Sequence, residues 1–170
     1  MMNRFTETTH FTGLSLAWSG FSALALLLCA NMSFAAEADS LQKEFFNVGS
    51  TFSNVVTTSH GGVTTIYVSG QVGIADGEIP EDFGQQVEYT FANLRRQLQA
   101  AGATPEDVVQ IRTYIVDISS ERVSAYNEAR VGFFTQQNKP ASTMVGVPGL
   151  VIPELLVEVE AIAVIENQPE

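Results

Sequence analysis

The stretch "PELLVEVEAIAVIE", residues 153–166, carries the alternation that decides the fold. Its odd positions, Leu155, Val157, Val159, Ala161, Ala163 and Ile165, are all apolar. The even positions are Leu156, Glu158, Glu160, Ile162 and Val164. Side chains alternate across a β-strand, so this strand has a core face and a mixed face. Glu158 and Glu160 point the same way on the mixed face, roughly 7 Å apart. An ionised carboxylate among apolar neighbours is costly to bury unless something pairs with it or uses it.

A core face needs a cover, and two amphipathic helices upstream supply one. Phe83, Val87, Phe91, Leu94, Leu98 and Ala101 fall at helical spacing before Gly102 stops the run. A second helix is expected in "SSERVSAYNEARVGFFTQQN", with Ser119 or Ser120 as N-cap and Val123, Tyr126, Phe133 and Phe134 as core. "NVVTTSHGGVTTIYVSGQV" reads as a hairpin about His60-Gly61-Gly62. "ATPEDVVQIRTYIVDI" gives a turn and a strand, apolar at Val109, Ile111 and Ile115 and mixed at Gln110, Arg112 and Tyr114. A short strand at "STMVGV" precedes the long last one. The order β-β-α-β-α-β-β predicts a single α+β domain, a mixed sheet with two helices on one face. The other sheet face is half apolar, which monomers rarely expose, and is expected to meet other subunits. Arg112 would there neutralise the two glutamates across an interface.

The start of the chain reads as an address. Arg4 stands in a short polar segment, and residues 13–30 form an apolar run ending "ALALLLCA". Small residues follow at Ser33, Ala35, Ala36 and Ala38. That order describes a secretory signal peptide over 1–35, cut after Ala35 or alternatively after Ala38. A retained single-pass anchor is the alternative. A lipid on Cys29 is a further one, disfavoured by the large Leu28 before it. The expected location is periplasmic or secreted, with no stable membrane association after cleavage. Residues 36–45 read as a flexible lead-in and 46–166 as the domain.

Cleavage would remove Cys29 and His10, leaving no cysteine and only His60 among histidines. A disulfide, a thiolate metal site or a His-based catalytic constellation then has almost nothing to work with. The whole chain carries a formal charge of −11, and losing Arg4 and Glu7 with the leader leaves it unchanged. Such a surface repels nucleic acid.

Several stretches in order now resemble one family. They are "YVSGQV" at 67–72, "FANLRRQLQAAGATPEDVVQIRTYIVDI", "YNEARVGFF" at 126–134, "KPAS" at 139–142 and "LVEVEAIAV" at 156–164. Together they resemble the RidA/YjgF family from about Phe46 to Ile165. The resemblance implies a chorismate-mutase-like α+β fold and a homotrimer with a central barrel and small-molecule clefts between subunits. It also implies hydrolysis of reactive enamines and imines to ammonia and a keto acid, with no cofactor and no metal. Glu158 falls where the family's water-positioning carboxylate stands. Ser69, the backbone of Gly70 and Asn127 fall in its substrate cleft. Ser69 bonding a turn and Asn127 pinning a loop are the structural alternatives, and Glu160 reads as an interface or surface charge.

The departures from the family weigh on the activity. Its signature of proline, alanine and arginine reads Pro140, Ala141 and Ser142 here. A serine hydroxyl cannot replace a bidentate guanidinium, and losing such a contact costs about 2–5 kcal/mol. Phe52 stands where deaminating members carry a tyrosine, and Met144 where a cysteine is frequent. Phe52, Ser142 and Thr143 complete the expected substrate-binding set. Arg112 on the mixed face and Arg130, one helical turn after Asn127, are the candidate replacement cations; a solvated helix charge is the alternative for Arg130. Two functions follow: hydrolysis of imine-type metabolites that bypasses the arginine clamp, or non-catalytic binding of a small metabolite or a partner. The RNA-cleavage label also attached to this family sits poorly with the acidic charge.

Overall fold

Residues 153–166 build the strand their alternation predicts. The computed structural model describes residues 40–134, 137 and 139–167. The chain divides into two units, Met1–Glu37 and Ala38–Glu170, and only the second contains described residues. The expected signal peptide and its cleavage points lie outside them.

In chain order the elements are β1 (Gln42–Val48), β2 (Ser53–His60), β3 (Val63–Val72), α1 (Phe83–Ala100), a 3-10 turn (Pro105–Asp107), β4 (Val108–Val116), α2 (Ser120–Phe133), β5 (Ala141–Val147) and β6 (Val157–Glu166). The strands form one sheet in the order β1-β2-β3-β6-β4-β5. Every pairing is antiparallel except β4 with β5, which run parallel because α2 makes the crossover between them. Gly61 and Gly62 have φ of 58° and 78°, so they form the two-residue turn between β2 and β3.

The odd face of β6 is the core. Val157, Val159 and Ala163 are fully buried there, with Val55, Ile66, Ile111 and Ile115 from neighbouring strands. Helix α1 starts at Asp82, whose side chain accepts from the Gln85 N–H, and lays Val87, Phe91, Leu94 and Leu98 on this face. Ser119 is the N-cap of α2, accepting from the Arg122 N–H. The Phe91 ring meets Tyr126 at 5.5 Å and Phe133 at 4.8 Å, and the buried Tyr126 hydroxyl bonds Thr113 Oγ1 at 2.7 Å.

Three expectations need correction. The lead-in is not loose throughout: residues 42–48 are a strand paired along β2, with Phe46 packed on the core. This adds a strand at the start of the expected order. Val109 is not core. The β4–β6 register slips between Val108 and Gln110, burying Val108 and leaving Val109 48% exposed. Finally, Arg112 meets Glu160 within the same chain, as its direct cross-strand neighbour, at 2.5 Å. Glu158 has no share in that pair.

Candidate active site on the mixed face

The neighbour of β6 on one side is β3, and their ladder is irregular. Val68 pairs with Ala161 and Gln71 with Val159, so Ser69 and Gly70 together oppose Glu160. One extra residue in β3 makes a β-bulge, a device that re-aims side chains. Here the bulge makes room for a carboxylate. A Cβ at position 70 would stand 1.7 Å from Glu158 Oε1. Only glycine lets the Glu158 side chain lie against the backbone there.

Polar side chains hold the bulge in shape. Ser69 Oγ donates to the Ser53 carbonyl at 2.8 Å, tying β3 to the start of β2. Gln71, nearly buried, turns its amide back to donate to the Ser69 carbonyl at 3.1 Å and to Asn54 Oδ1 at 3.3 Å. Asn54 in turn donates to the Asn47 carbonyl at 3.0 Å. Side-chain amides tied to backbone carbonyls in this way fix geometry more than they add net stability.

Burial raises the Glu158 pKa above the ordinary carboxylate range, and the nearby Glu160 charge adds to the rise. A carboxylate moved toward neutral pH suits proton transfer. Two pH effects follow. Any reaction that uses Glu158 as a base should lose rate as pH falls through this raised value, so its acid limb should sit above 4.5, the value of an unperturbed glutamate. Stability has the opposite sense. The folded state holds its proton to higher pH than the unfolded chain does, so ionisation costs stability as pH rises between the two values. Melting curves of the wild type and Glu158→Gln should coincide below pH 4.5 and separate above it, with the variant gaining. Separation on acidification would contradict this.

Two rows of cross-strand neighbours cross the mixed face. One runs from Thr143 to Arg112 to Glu160 to the bulge, and the next from Val145 to Tyr114 to Glu158 to Val72. Beside the bulge is a cavity of about 190 Å³ with Tyr67, Ser69, Arg112, Glu160 and Ile162 in its wall. The structure therefore brings Glu158, Ser69, Gly70 and Thr143 to one face. Phe52, 59% exposed, sits next to Ser53 at the edge of this region.

Ser142 and Asn127 are placed elsewhere. Ser142 pairs with the core residue Ile111 and shares its face with Met144, which packs on the core. Asn127 is exposed on α2, in the helix layer behind the sheet. Within one subunit the sheet separates both from Glu158. Arg130 is half-buried, with its guanidinium 5.8 Å over the Phe134 ring, and is not a freely solvated charge. Sequence reading passed over Gln71 and Asn54. The signal available was the place of Gln71 directly after the Ser69-Gly70 pair.

The model of a family described as Endoribonuclease L-PSP matches residues 46–165. A RutC family protein from Aquifex aeolicus is 35% identical over 102 residues, 58% of this chain and 79% of that one. A 2-iminobutanoate/2-iminopropanoate deaminase from Escherichia coli is 31% identical over 103 residues, 58% of this chain and 78% of that one. Among solved structures, a YjgF-family member from Mycobacterium tuberculosis superimposes with TM-score 0.60 and 30% identity, over 73% of this chain and all of that one. A RidA from an Antarctic Psychrobacter gives TM-score 0.60 and 30% identity, over 69% of this chain and 91% of that one.

Proposed function

This chain belongs to the RidA/YjgF family, the Endoribonuclease L-PSP family of the profile match, and from that premise we propose that it hydrolyses small imine- or enamine-type metabolites with Glu158 as general base. The observation that carries the reading is the seat of Glu158. A bulge built from Ser69 and Gly70 admits its carboxylate against the backbone, and burial lifts its pKa toward the working range of a base. Glu158 takes a proton from water as the oxygen adds to the C=N carbon and passes it to the nitrogen; it then relays the adduct's hydroxyl proton the same way, so the C–N bond breaks, ammonia leaves and the carbonyl compound remains.

The protein works as an exported homotrimer in this reading. Phe45, Val56, Tyr67 and Ile162 form a continuous cross-strand row on the mixed face, with Phe45 58% and Tyr67 45% exposed. Contact with other subunits would cover that row. The charged, apolar and small-residue order of residues 1–38 supports export.

Gly70→Ala tests the seat directly. The added methyl must push the Glu158 side chain aside, a flexible group, so the melting temperature should change little. Imine hydrolysis should fall about 10-fold or more, because a displaced base loses its alignment. Unchanged hydrolysis would reject the assignment of Glu158 to the bulge.

A second reading, a trimer that binds a metabolite without turnover, has two observations in its favour. The Ser69 hydroxyl proton is already committed to the Ser53 carbonyl, and Ser142 offers no cation.

A further inference from the structure

The seat of Glu158 is held from behind the sheet. Gln71 pairs with the core residue Val159, so its side chain leaves β3 on the core side, opposite the carboxylate. There its Nε2 donates to the carbonyls of both bulge residues, Ser69 at 3.1 Å and Gly70 at 3.4 Å. An amide does this only with its nitrogen toward them, since its oxygen would face two carbonyls. Asn54 sets that orientation. Its Oδ1 accepts from Gln71 Nε2 at 3.3 Å, and its Nδ2 is committed to the Asn47 carbonyl at 3.0 Å. A main-chain carbonyl accepts and never donates, so polarity runs one way from Asn47 through Asn54 and Gln71 to the bulge. The far end is fixed as well. Asn47 has a left-handed φ of 50°, and its Nδ2 donates to Gln97 Oε1 on α1 at 2.6 Å.

We propose that Asn54 and Gln71 are positioning residues for Glu158, an amide chain that fixes the Ser69 and Gly70 peptides against which the carboxylate rests. The proposal rests on the hydrolase reading for its effect on rate, and adds to it the device that keeps the base in place. The fit at the bulge is close: a Cβ at position 70 would stand 1.7 Å from Glu158 Oε1. A small turn of the Gly70 peptide therefore changes the space left for the carboxylate, and two carbonyls pinned by one amide resist that turn. Neither Asn54 nor Gln71 takes part in proton transfer; both act through where Glu158 stands. Without the chain the bulge relaxes, and the carboxylate moves out to water. It then loses both its alignment and its burial.

The test follows the Glu158 carboxyl by carbon NMR across pH, in protein labelled at glutamate, with Glu158→Gln to identify its signal. Wild type is compared with Asn54→Ala and with Gln71→Met, which keeps the length of the side chain. Ser59→Ala is the control, since it removes a hydrogen bond to Thr64 Oγ1 elsewhere in the same hairpin. Glu160, Arg112, Tyr114 and Tyr67, titratable groups of the same face, are unchanged throughout. Burial holds the Glu158 pKa above 4.5, so Asn54→Ala and Gln71→Met should lower its midpoint toward 4.5, and Ser59→Ala should not. In turnover the two chain variants should lose about 10-fold in kcat with KM little changed. Their acid limb should move to lower pH with the titration. A chain that only stabilises the fold would lower the melting temperature and leave the titration where it is. Equal Glu158 midpoints in wild type, Asn54→Ala and Gln71→Met would therefore overturn the proposal. A lowered midpoint with no hydrolysis by any of these proteins, wild type included, would uphold the positioning and reject the hydrolase. Asn54→Ala leaves the apolar core untouched, so it decides the matter even where Gln71→Met fails to fold.

Discussion

Glu158→Gln is expected to lower imine hydrolysis by roughly 10²-fold or more, the usual range for a lost general base. The substitution keeps the side chain's shape and its place over Gly70, so the cradle is preserved. It removes the one property that matters to the proposed step, an ionisable oxygen that can take a proton from water. The variant should also be more stable than the wild type at neutral pH, because ionising a partly buried carboxylate beside Glu160 costs the folded state. Activity lost together with stability gained is the pattern of a group held in a strained electrostatic setting for a function. A purely structural glutamate would lose stability on the same change. Steady-state keto acid release and a melting curve on the two proteins decide between them.

Gln86→Leu should have the largest effect on stability. Gln86 is fully buried on α1, a place where the helix stripe alone asks for nothing polar. Its Nε2 donates to the Pro80 carbonyl at 2.7 Å and to the Glu154 carbonyl at 2.9 Å, while its Oε1 accepts from the Leu156 N–H at 2.8 Å. Leucine matches the volume closely and strands all three backbone groups. A buried group left without its partner costs about 1–3 kcal/mol, so the variant should lose roughly 3–5 kcal/mol. For a domain of this size that lowers the melting temperature by roughly 10–20 °C at fixed protein concentration. The amide also sets where β6 begins, two residues before Glu158, so surviving protein should hydrolyse imines more slowly. A loss below about 1 kcal/mol would mean that water takes over the three bonds.

The fold was legible where burial imposes a period. The odd residues of β6, the stripe of α1 and the Gly61-Gly62 turn each follow from one rule applied to consecutive residues. Bulges break that rule by inserting a residue. Val109 looked like core because alternation from Ile111 could only be carried back in steps of two, and the slip at Val108 exchanges the pair. The bulge at Ser69-Gly70 was hidden for the same reason, although Gly70 itself was marked. Residues 42–48 alternate weakly and stay largely exposed, so only Phe46 hinted at β1.

The candidate site was legible in its residue types more than in its arrangement. Glu158 announced itself as a charge in an apolar strand. The face occupied by Ser142 and Thr143 depends on the parity of a strand with only Met144 to mark the core side, and sequence reading weighed Ser142 first. Gln71 and Gln86 were invisible because most of their partners are backbone groups, and Gln86 takes one of them from 68 residues away. An amide buried for such bonds looks, in sequence, like any solvated glutamine.

The most direct measurement is keto acid release by the purified, unmodified protein from 2-imino acids made in place by an amino-acid oxidase, against the spontaneous rate. Acceleration above that rate, carried by a chain with serine at position 142, is the result expected of a base seated at the bulge. A rate equal to the spontaneous one, in the wild type and in Ser142→Arg alike, would contradict hydrolysis at this site.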